Sequence, residues 1–80
     1  MDNLKKYKET FIESLSIDKK DFKDTLEYSE IPEWDSIGHM TLISGLEEEF
    51  KITIDTDDIV DFSSFKKGIE ILQKYKIKFN

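Results

Sequence analysis

The chain has 80 residues, a formal net charge of −6 and no cysteine. This length allows one small domain, spanning residues 1–80, and the lack of cysteine excludes both a disulfide framework and a protein thiol. The acidic balance argues against nucleic acid as the main partner, and no apolar run approaches the roughly 18 residues of a membrane span, so we expect no membrane insertion.

The first residues, Met1 to Lys6, lack the apolar region of a signal peptide, and we expect a cytoplasmic protein. An amphipathic helix is predicted directly afterwards, over residues 3–15. Its apolar residues recur at helical spacing, and they are Leu4, Tyr7, Phe11, Ile12 and Leu15.

Residues 16–35 are predicted to form a long loop. The segment is polar, and Pro32 disfavours helical geometry at Ile31. Scattered apolar residues punctuate it, namely Ile17, Phe22, Leu26, Ile31 and Trp34. Loops of this length in compact domains are usually functional or are fixed by their own side chains.

A second helix is predicted from Ser36 to about Phe50, with Asp35 as its N-cap. Its projection gives a core face of Leu42, Ile43, Leu46 and Phe50. Ile37 and Met40 fall on the outward side, near Ser36, which suggests a partner contact. The Ser36 hydroxyl stands at a helix N-terminus, where N–H groups and the helix dipole favour a phosphate. Ser36 is therefore predicted to be a site of attachment.

Three further segments follow the second helix. Residues 51–54 alternate like a strand but have no evident partner strand. A short helix is predicted over residues 57–61, capped by Thr56 or Asp55, and a last helix over residues 64–76, capped by Ser63. The apolar stripe predicted for the last helix is Phe65, Ile69, Leu72 and Tyr75. The pattern as a whole predicts an all-α fold.

Three glycines, Gly38, Gly45 and Gly68, fall inside predicted helices, where glycine costs up to about 1 kcal/mol relative to alanine. We interpret them as allowing close approach between packed elements or, for Gly38, by an enzyme that reaches Ser36.

The sequence also contains residues that could suggest a hydrolase site or a metal site. His39 follows Ser36 by three residues, but it projects towards the core face, and no G-x-S-x-G elbow is present. We expect a half-buried structural histidine near Trp34 rather than a hydrolase base. The four aspartates between residues 55 and 61 lack the glycine of an EF-hand, so no dedicated metal site is expected.

The residues Asp35-Ser36-Ile37 resemble the Asp-Ser-Leu attachment motif of acyl carrier proteins. The match continues without a gap along about half of the chain. Its further positions are Leu42, Leu46-Glu-Glu-Glu-Phe50, Ile54, Asp57-Asp58, Ser63-Ser64 and Ile69.

The resemblance implies a bundle of three longer helices and a short third one, with a long loop between the first two. It implies that a phosphopantetheinyl transferase attaches 4′-phosphopantetheine, taken from coenzyme A, to Ser36 beside Asp35. A monomeric carrier, not an enzyme, would then present thioester-bound acyl groups of a fatty-acid, polyketide or other specialised pathway. Enzymes with basic patches would dock on it, and the expected contact residues are Ile37, Met40, Thr41, Glu47, Glu48, Asp57 and Ile59.

The charge distribution agrees with the docking of basic partners around Ser36. Residues 16–62 hold fourteen acids and four lysines, whereas residues 63–80 hold five lysines and one acid. An acidic field around Ser36 would steer basic partners towards it.

The chain departs from the housekeeping pattern of the family. Gly38 and Thr41 stand where acids are usual, Ile59, Val60 and Phe62 replace alanine, glutamate and isoleucine, and Trp34 is unusual. We therefore expect a specialised carrier. Three alternatives stay open: a carrier of aminoacyl or peptidyl groups, an unmodified helical adaptor that binds through Ile37 and Met40, and a small serine hydrolase.

Overall fold

The computed structural model describes residues 3–79, and this part of the chain contains four α-helices. They are α1 (Asn3–Leu15), α2 (Ser36–Phe50), α3 (Thr56–Asp61) and α4 (Phe65–Lys74), with a 3-10 turn at Lys19–Asp21. Within residues 3–79 no strand forms, although an isolated antiparallel bridge joins Glu27 to Ser64. The prediction of an all-α fold is confirmed.

The bounds of α1 and α2 are those predicted from periodicity and capping. α2 ends where Lys51 adopts a left-handed conformation (φ 55°) and its N–H bonds to the carbonyl of Glu47. The two helices pack closely, because a Cβ on Gly45 would meet the side chains of Ser14 and Thr10 on α1. The interpretation of Gly45 as a residue that allows close helix approach is confirmed.

The core is a continuous cluster of buried apolar side chains rich in aromatic rings. Phe11 lies near its centre, with edge-to-face contacts to Trp34 at 5.0 Å and to Phe65 at 5.1 Å between ring centroids. Tyr7 is fully buried and donates its hydroxyl to the carbonyl of Phe65 at 2.7 Å. Such edge-to-face pairs contribute about 0.5–1.5 kcal/mol each beyond the area they bury.

The long segment between α1 and α2 is fixed in place by its own residues. Leu26 and Trp34 are both fully buried. The Leu26 carbonyl accepts a hydrogen bond from the N–H of Phe65 at 2.9 Å, and the Tyr28 N–H donates to the carbonyl of Ser63 at 2.8 Å. The segment is thereby bonded to the junction between α3 and α4, which places residues 28–35 beside the start of α2.

The last two helices differ from the sequence prediction. α3 begins at Thr56, and Asp55 occupies its N-cap without a side-chain capping bond. The predicted Ser63 cap of α4 is wrong, because Ser64 is the cap and its hydroxyl accepts from the N–H of Lys67 at 2.9 Å.

The predicted end of α4 at residue 76 is also wrong. Lys76 has a left-handed backbone (φ 70°), and the N–H groups of Tyr75 and Ile77 both bond to the carbonyl of Leu72. This closes the helix at Lys74. Its buried residues are Phe65, Gly68, Ile71 and Leu72, whereas Ile69 and Tyr75 of the predicted stripe are only half-buried.

Candidate functional site

Ser36 is the first residue of α2, and its side chain is exposed. Asp35 precedes it in an extended conformation, and its carboxylate accepts a hydrogen bond from the N–H of Gly38 at 2.8 Å. This is the N-cap predicted from the sequence. Because the first N–H groups of a helix have no acceptor within it, α2 presents donors and the positive end of its dipole beside the Ser36 hydroxyl.

Gly38 brings the preceding segment against the first turn of α2. A Cβ at this position would overlap the carbonyl oxygen of Glu33 and would crowd Leu15 and Asp35. The space that glycine leaves is therefore filled by the chain's own backbone. The interpretation that Gly38 makes room for an enzyme is wrong, and the alternative interpretation, close approach between packed elements, is confirmed.

Tyr28 contacts the Ser36 hydroxyl from the long segment. The two hydroxyl oxygens are 3.3 Å apart, and either of them can be the donor. The Tyr28 ring lies edge-on to His39 at 5.4 Å and to Trp34 at 5.9 Å between centroids. These contacts fix the position of a second hydroxyl group directly beside Ser36.

His39 joins three elements through its two ring nitrogens. Its Nδ1 accepts a hydrogen bond from the indole N–H of Trp34 at 3.0 Å, so the proton of the neutral ring lies on Nε2, which donates to the carbonyl of Ile59 at 2.8 Å. The expectation of a half-buried structural histidine near Trp34 is confirmed. Since both nitrogens are bonded elsewhere, His39 is not placed to take a proton from Ser36.

An apolar groove opens at Ser36 between the long segment, α2 and α3. We call it the Ser36 groove, and its volume is about 340 Å³. Its lining residues are Tyr28, Ser36, His39, Met40, Ile59, Val60, Phe62 and Ser63. The lining contains no Asp, Glu, Lys or Arg, although 38% of the chain is charged. The groove is therefore suited to a small uncharged group, or to part of a longer one, attached near its mouth.

Exposed apolar side chains surround the mouth of the groove. Ile37 is 79% exposed, Met40 51% and Val60 76%. Large apolar side chains grouped beside a candidate site indicate a contact surface. The outward orientation predicted for Ile37 and Met40 is confirmed, whereas Val60 was not among the predicted contact residues.

The other predicted contact residues differ in their exposure and in their hydrogen bonds. Thr41, Glu48 and Asp57 are exposed, and the Thr41 hydroxyl donates to the carbonyl of Ile37 at 3.1 Å. Glu47 is half-buried, and its carboxylate accepts from the N–H of Ile54 at 2.8 Å. Ile59 is half-buried and lines the Ser36 groove.

Asp58 ties α3 to α4. Its carboxylate, 6% exposed as a residue, accepts hydrogen bonds from the Lys74 ammonium at 2.5 Å and from the Tyr75 hydroxyl at 2.6 Å. These bonds, that from Lys74 first, lower the pKa of Asp58, and the bond to Asp58 raises the pKa of Lys74. Asp58 is thus a structural residue, and no group of three or more potential ligands among residues 3–79 is arranged to bind a metal ion.

Apart from His39, four residues that line the groove were not among the predicted site residues, namely Tyr28, Val60, Phe62 and Ser63. A helical projection of α3 with Ile59 turned inward would have placed Val60 outward. Tyr28 and Ser63 gave no such signal, because their positions depend on the hydrogen bond between the Tyr28 N–H and the Ser63 carbonyl, which lie 35 residues apart.

Comparisons of the chain with protein-family models, with curated proteins and with solved structures found no match. Among residues 3–79, no helix has both the length and the apolar character needed to cross a membrane.

Proposed function

We propose that this chain is an acyl carrier protein, in which Ser36 bears a 4′-phosphopantetheine arm and the arm bears acyl groups as thioesters. The observation that carries the proposal is the placement of the Ser36 hydroxyl. It is exposed on the first residue of α2, beside the Asp35 cap, and it opens onto an apolar groove. The arrangement fits the resemblance of Asp35-Ser36-Ile37 to the attachment motif of this family.

The attachment step would take place on a transferase. The Ser36 oxygen would attack the phosphorus of coenzyme A that is bonded to pantetheine, forming a new phosphate ester. The bond to the other phosphate would break, 3′,5′-ADP would leave, and the serine proton would pass to a base of the transferase. The chain itself contributes an accessible hydroxyl and a helix N-terminus that favours the phosphate.

The role of the chain after attachment would be presentation rather than catalysis. The arm would supply the thiol that the cysteine-free sequence lacks. Tethering raises the effective concentration of a substrate at each partner enzyme. Both His39 ring nitrogens are hydrogen-bonded, one to Trp34 and one to Ile59, which supports a carrier over a serine hydrolase.

The fold proposed with this function is an acyl-carrier-type bundle of α1, α2 and α4 with the short α3. Partner enzymes would dock around Ser36 through the exposed apolar residues Ile37, Met40 and Val60, with Glu48 and Asp57 attracting basic side chains. The departures at Gly38 and Ile59 favour a dedicated pathway over bulk fatty acid synthesis. Asp35 before Ser36 favours acyl over peptidyl groups, since peptidyl carriers more often have Gly-Gly-His-Ser.

A second candidate function is an unmodified helical adaptor. The exposure of Ile37, Met40 and Val60 favours it, because an apolar surface of this kind can bind a partner without any attached group. The two functions differ in their dependence on the Ser36 hydroxyl. A Ser36→Ala adaptor would keep its partner, whereas a Ser36→Ala carrier would lose its cargo.

The test is the intact mass of the chain after incubation with coenzyme A, Mg²⁺ and a broad-specificity phosphopantetheinyl transferase. We expect the wild-type chain to gain one phosphopantetheine group and Ser36→Ala to gain none. Ser44→Ala removes another exposed hydroxyl from α2 and serves as the matched control, which should be modified like the wild type. A folded wild-type chain that gains no mass beside a working control carrier would contradict the proposal and favour the adaptor.

A further inference from the structure

We propose that the Ser36 groove binds the part of the phosphopantetheine arm next to its phosphate and that Tyr28 positions this phosphate. The acyl cargo therefore stays outside the helices. This inference rests on the proposed function. It assigns an occupant to the groove and a class to the cargo, namely short or polar acyl groups that need no shelter.

The first step of the argument is the hydroxyl pair at the mouth of the groove. The Tyr28 oxygen lies 3.3 Å from the Ser36 oxygen, which would become the ester oxygen of the arm. The other phosphate oxygens would lie two bonds further on, through the phosphorus, within reach of the same phenol. An O–H donated to an anionic oxygen forms one of the stronger classes of hydrogen bond, so the Tyr28 hydroxyl would donate to the phosphate.

The second step is that Tyr28 is held in advance. Its N–H bonds to the carbonyl of Ser63, and its ring contacts Trp34 and His39, which are themselves joined by a hydrogen bond. A side chain held in this way loses little conformational freedom when it contacts the phosphate. The tyrosine is 40% exposed, so its position does not follow from burial.

The third step is the match between the lining and the arm. From its phosphate outwards, pantetheine has a methylene group, a carbon with two methyl groups, a hydroxyl-bearing carbon and an amide. The groove is lined by the apolar residues Met40, Ile59 and Val60 and by the hydroxyl-bearing residues Tyr28 and Ser63. Its volume of about 340 Å³ lies at the small end of the range for small-molecule sites. It suits part of the arm, but not the arm together with a long acyl chain.

The fourth step is that the inner side of the groove is closed. Phe62 lines it, is 1% exposed, and packs its ring where a side chain on Gly68 would otherwise stand. His39 is bonded at both nitrogens, and Trp34 beside it is fully buried. An acyl chain could enter between the helices only by displacing these rings. The thioester and its cargo would therefore face solvent or the partner enzyme.

The experiment uses the modified chain, with modification checked by intact mass. Carbon-labelled pantetheine would be attached, and proton contacts between its methyl groups and the side chains of Met40 and Val60 would be measured by NMR. We expect such contacts in the wild type. In Tyr28→Phe we expect them to weaken and the phosphorus resonance to move, while Thr53→Val, which removes a hydroxyl that does not line the groove, leaves both unchanged.

The second readout is the rate at which hydroxylamine cleaves acetyl and octanoyl thioesters on the arm. We expect equal rates and unchanged amide shifts at Trp34 and Phe62. Protection of the octanoyl form by about tenfold would overturn the inference, since cleavage would then require local opening of the helices.

Failure of this inference is distinguishable from failure of the proposed function. A modified chain without contacts between the arm and Met40 or Val60, or with a phosphorus resonance indifferent to Tyr28→Phe, overturns the inference alone. A wild-type chain that gains no phosphopantetheine overturns both.

Discussion

Gly38 lies in the first turn of α2, where the carbonyl oxygen of Glu33 occupies the space that a side chain would need. Gly38→Ala removes a helix-unfavourable residue, which by itself would stabilise the helix by up to about 1 kcal/mol and by less in the first turn. The added methyl group would overlap a backbone atom, and inserting such a group into a packed site costs typically about 1–3 kcal/mol. A backbone oxygen yields less readily than the end of a flexible side chain, so the cost lies towards the upper part of that range.

We therefore expect Gly38→Ala to lower the free energy of unfolding by about 1–2 kcal/mol, the overlap outweighing the gain in helix propensity. For a domain of this size the melting temperature would fall by roughly 5–15 °C. Urea and thermal unfolding followed through the fluorescence of Trp34, the single tryptophan, measure both quantities. Because Asp35 and Ser36 would move with the displaced turn, transfer of phosphopantetheine to Ser36 should also slow.

Gly45→Ala is the matched control on the same helix. There the added Cβ would meet the side chains of Ser14 and Thr10 rather than backbone, and a rotation of Ser14 relieves the closest contact. Its effect on stability should be clearly smaller. If Gly38→Ala were stabilising, or no worse than Gly45→Ala, the reasoning from the Glu33 carbonyl would be refuted.

Three further predictions concern charge and surface. Asp58→Asn should lower the melting temperature at neutral pH. In the wild type the stabilisation that comes from the lowered pKa of Asp58 is fully present above pH 3.8, the ordinary pKa of the group. It is lost as the pH falls through the lowered pKa. The variant has no carboxylate to protonate, so its stability should fall less than that of the wild type over this pH range. Ile37→Ala should change the free energy of unfolding by less than about 0.5 kcal/mol while it raises the KM of an acyl-loading partner; an unchanged KM would remove Ile37 from the docking surface. Salt or Mg²⁺ should raise the melting temperature by screening the acids of residues 16–62, and a flat response would show that they repel little.

The sequence predicted those elements whose signals are local. α1 has strong helical periodicity, and α2 has the Asp35 cap, so their bounds were correct. The end of α4 was missed because it depends on a left-handed Lys76, a residue type that gives no warning of such a conformation.

The residues of the site likewise fall into those that local sequence signals predict and those that long-range contacts place. Ser36 and its cap could be read from neighbouring residues, as could the outward side chains Ile37 and Met40. The groove could not, since Tyr28 reaches Ser36 only after its backbone has paired with Ser63 across a large separation in sequence. The sequence also did not indicate that Asp58 is buried, because its partner Lys74 lies sixteen residues away.

α3 has six residues and forms one wall of the groove. A helix of this length has no stability of its own, so its position is set by what holds it. His39 binds it at Ile59 on the side of α2, and Lys74 with Tyr75 bind it at Asp58 on the side of α4. The wall thus has one anchor, at Asp58, that involves none of the residues lining the groove. Exchanging Lys74 or Tyr75 should therefore widen or tilt the groove, and so change how it fits the proposed arm, while Ser36 and its Asp35 cap stay unchanged.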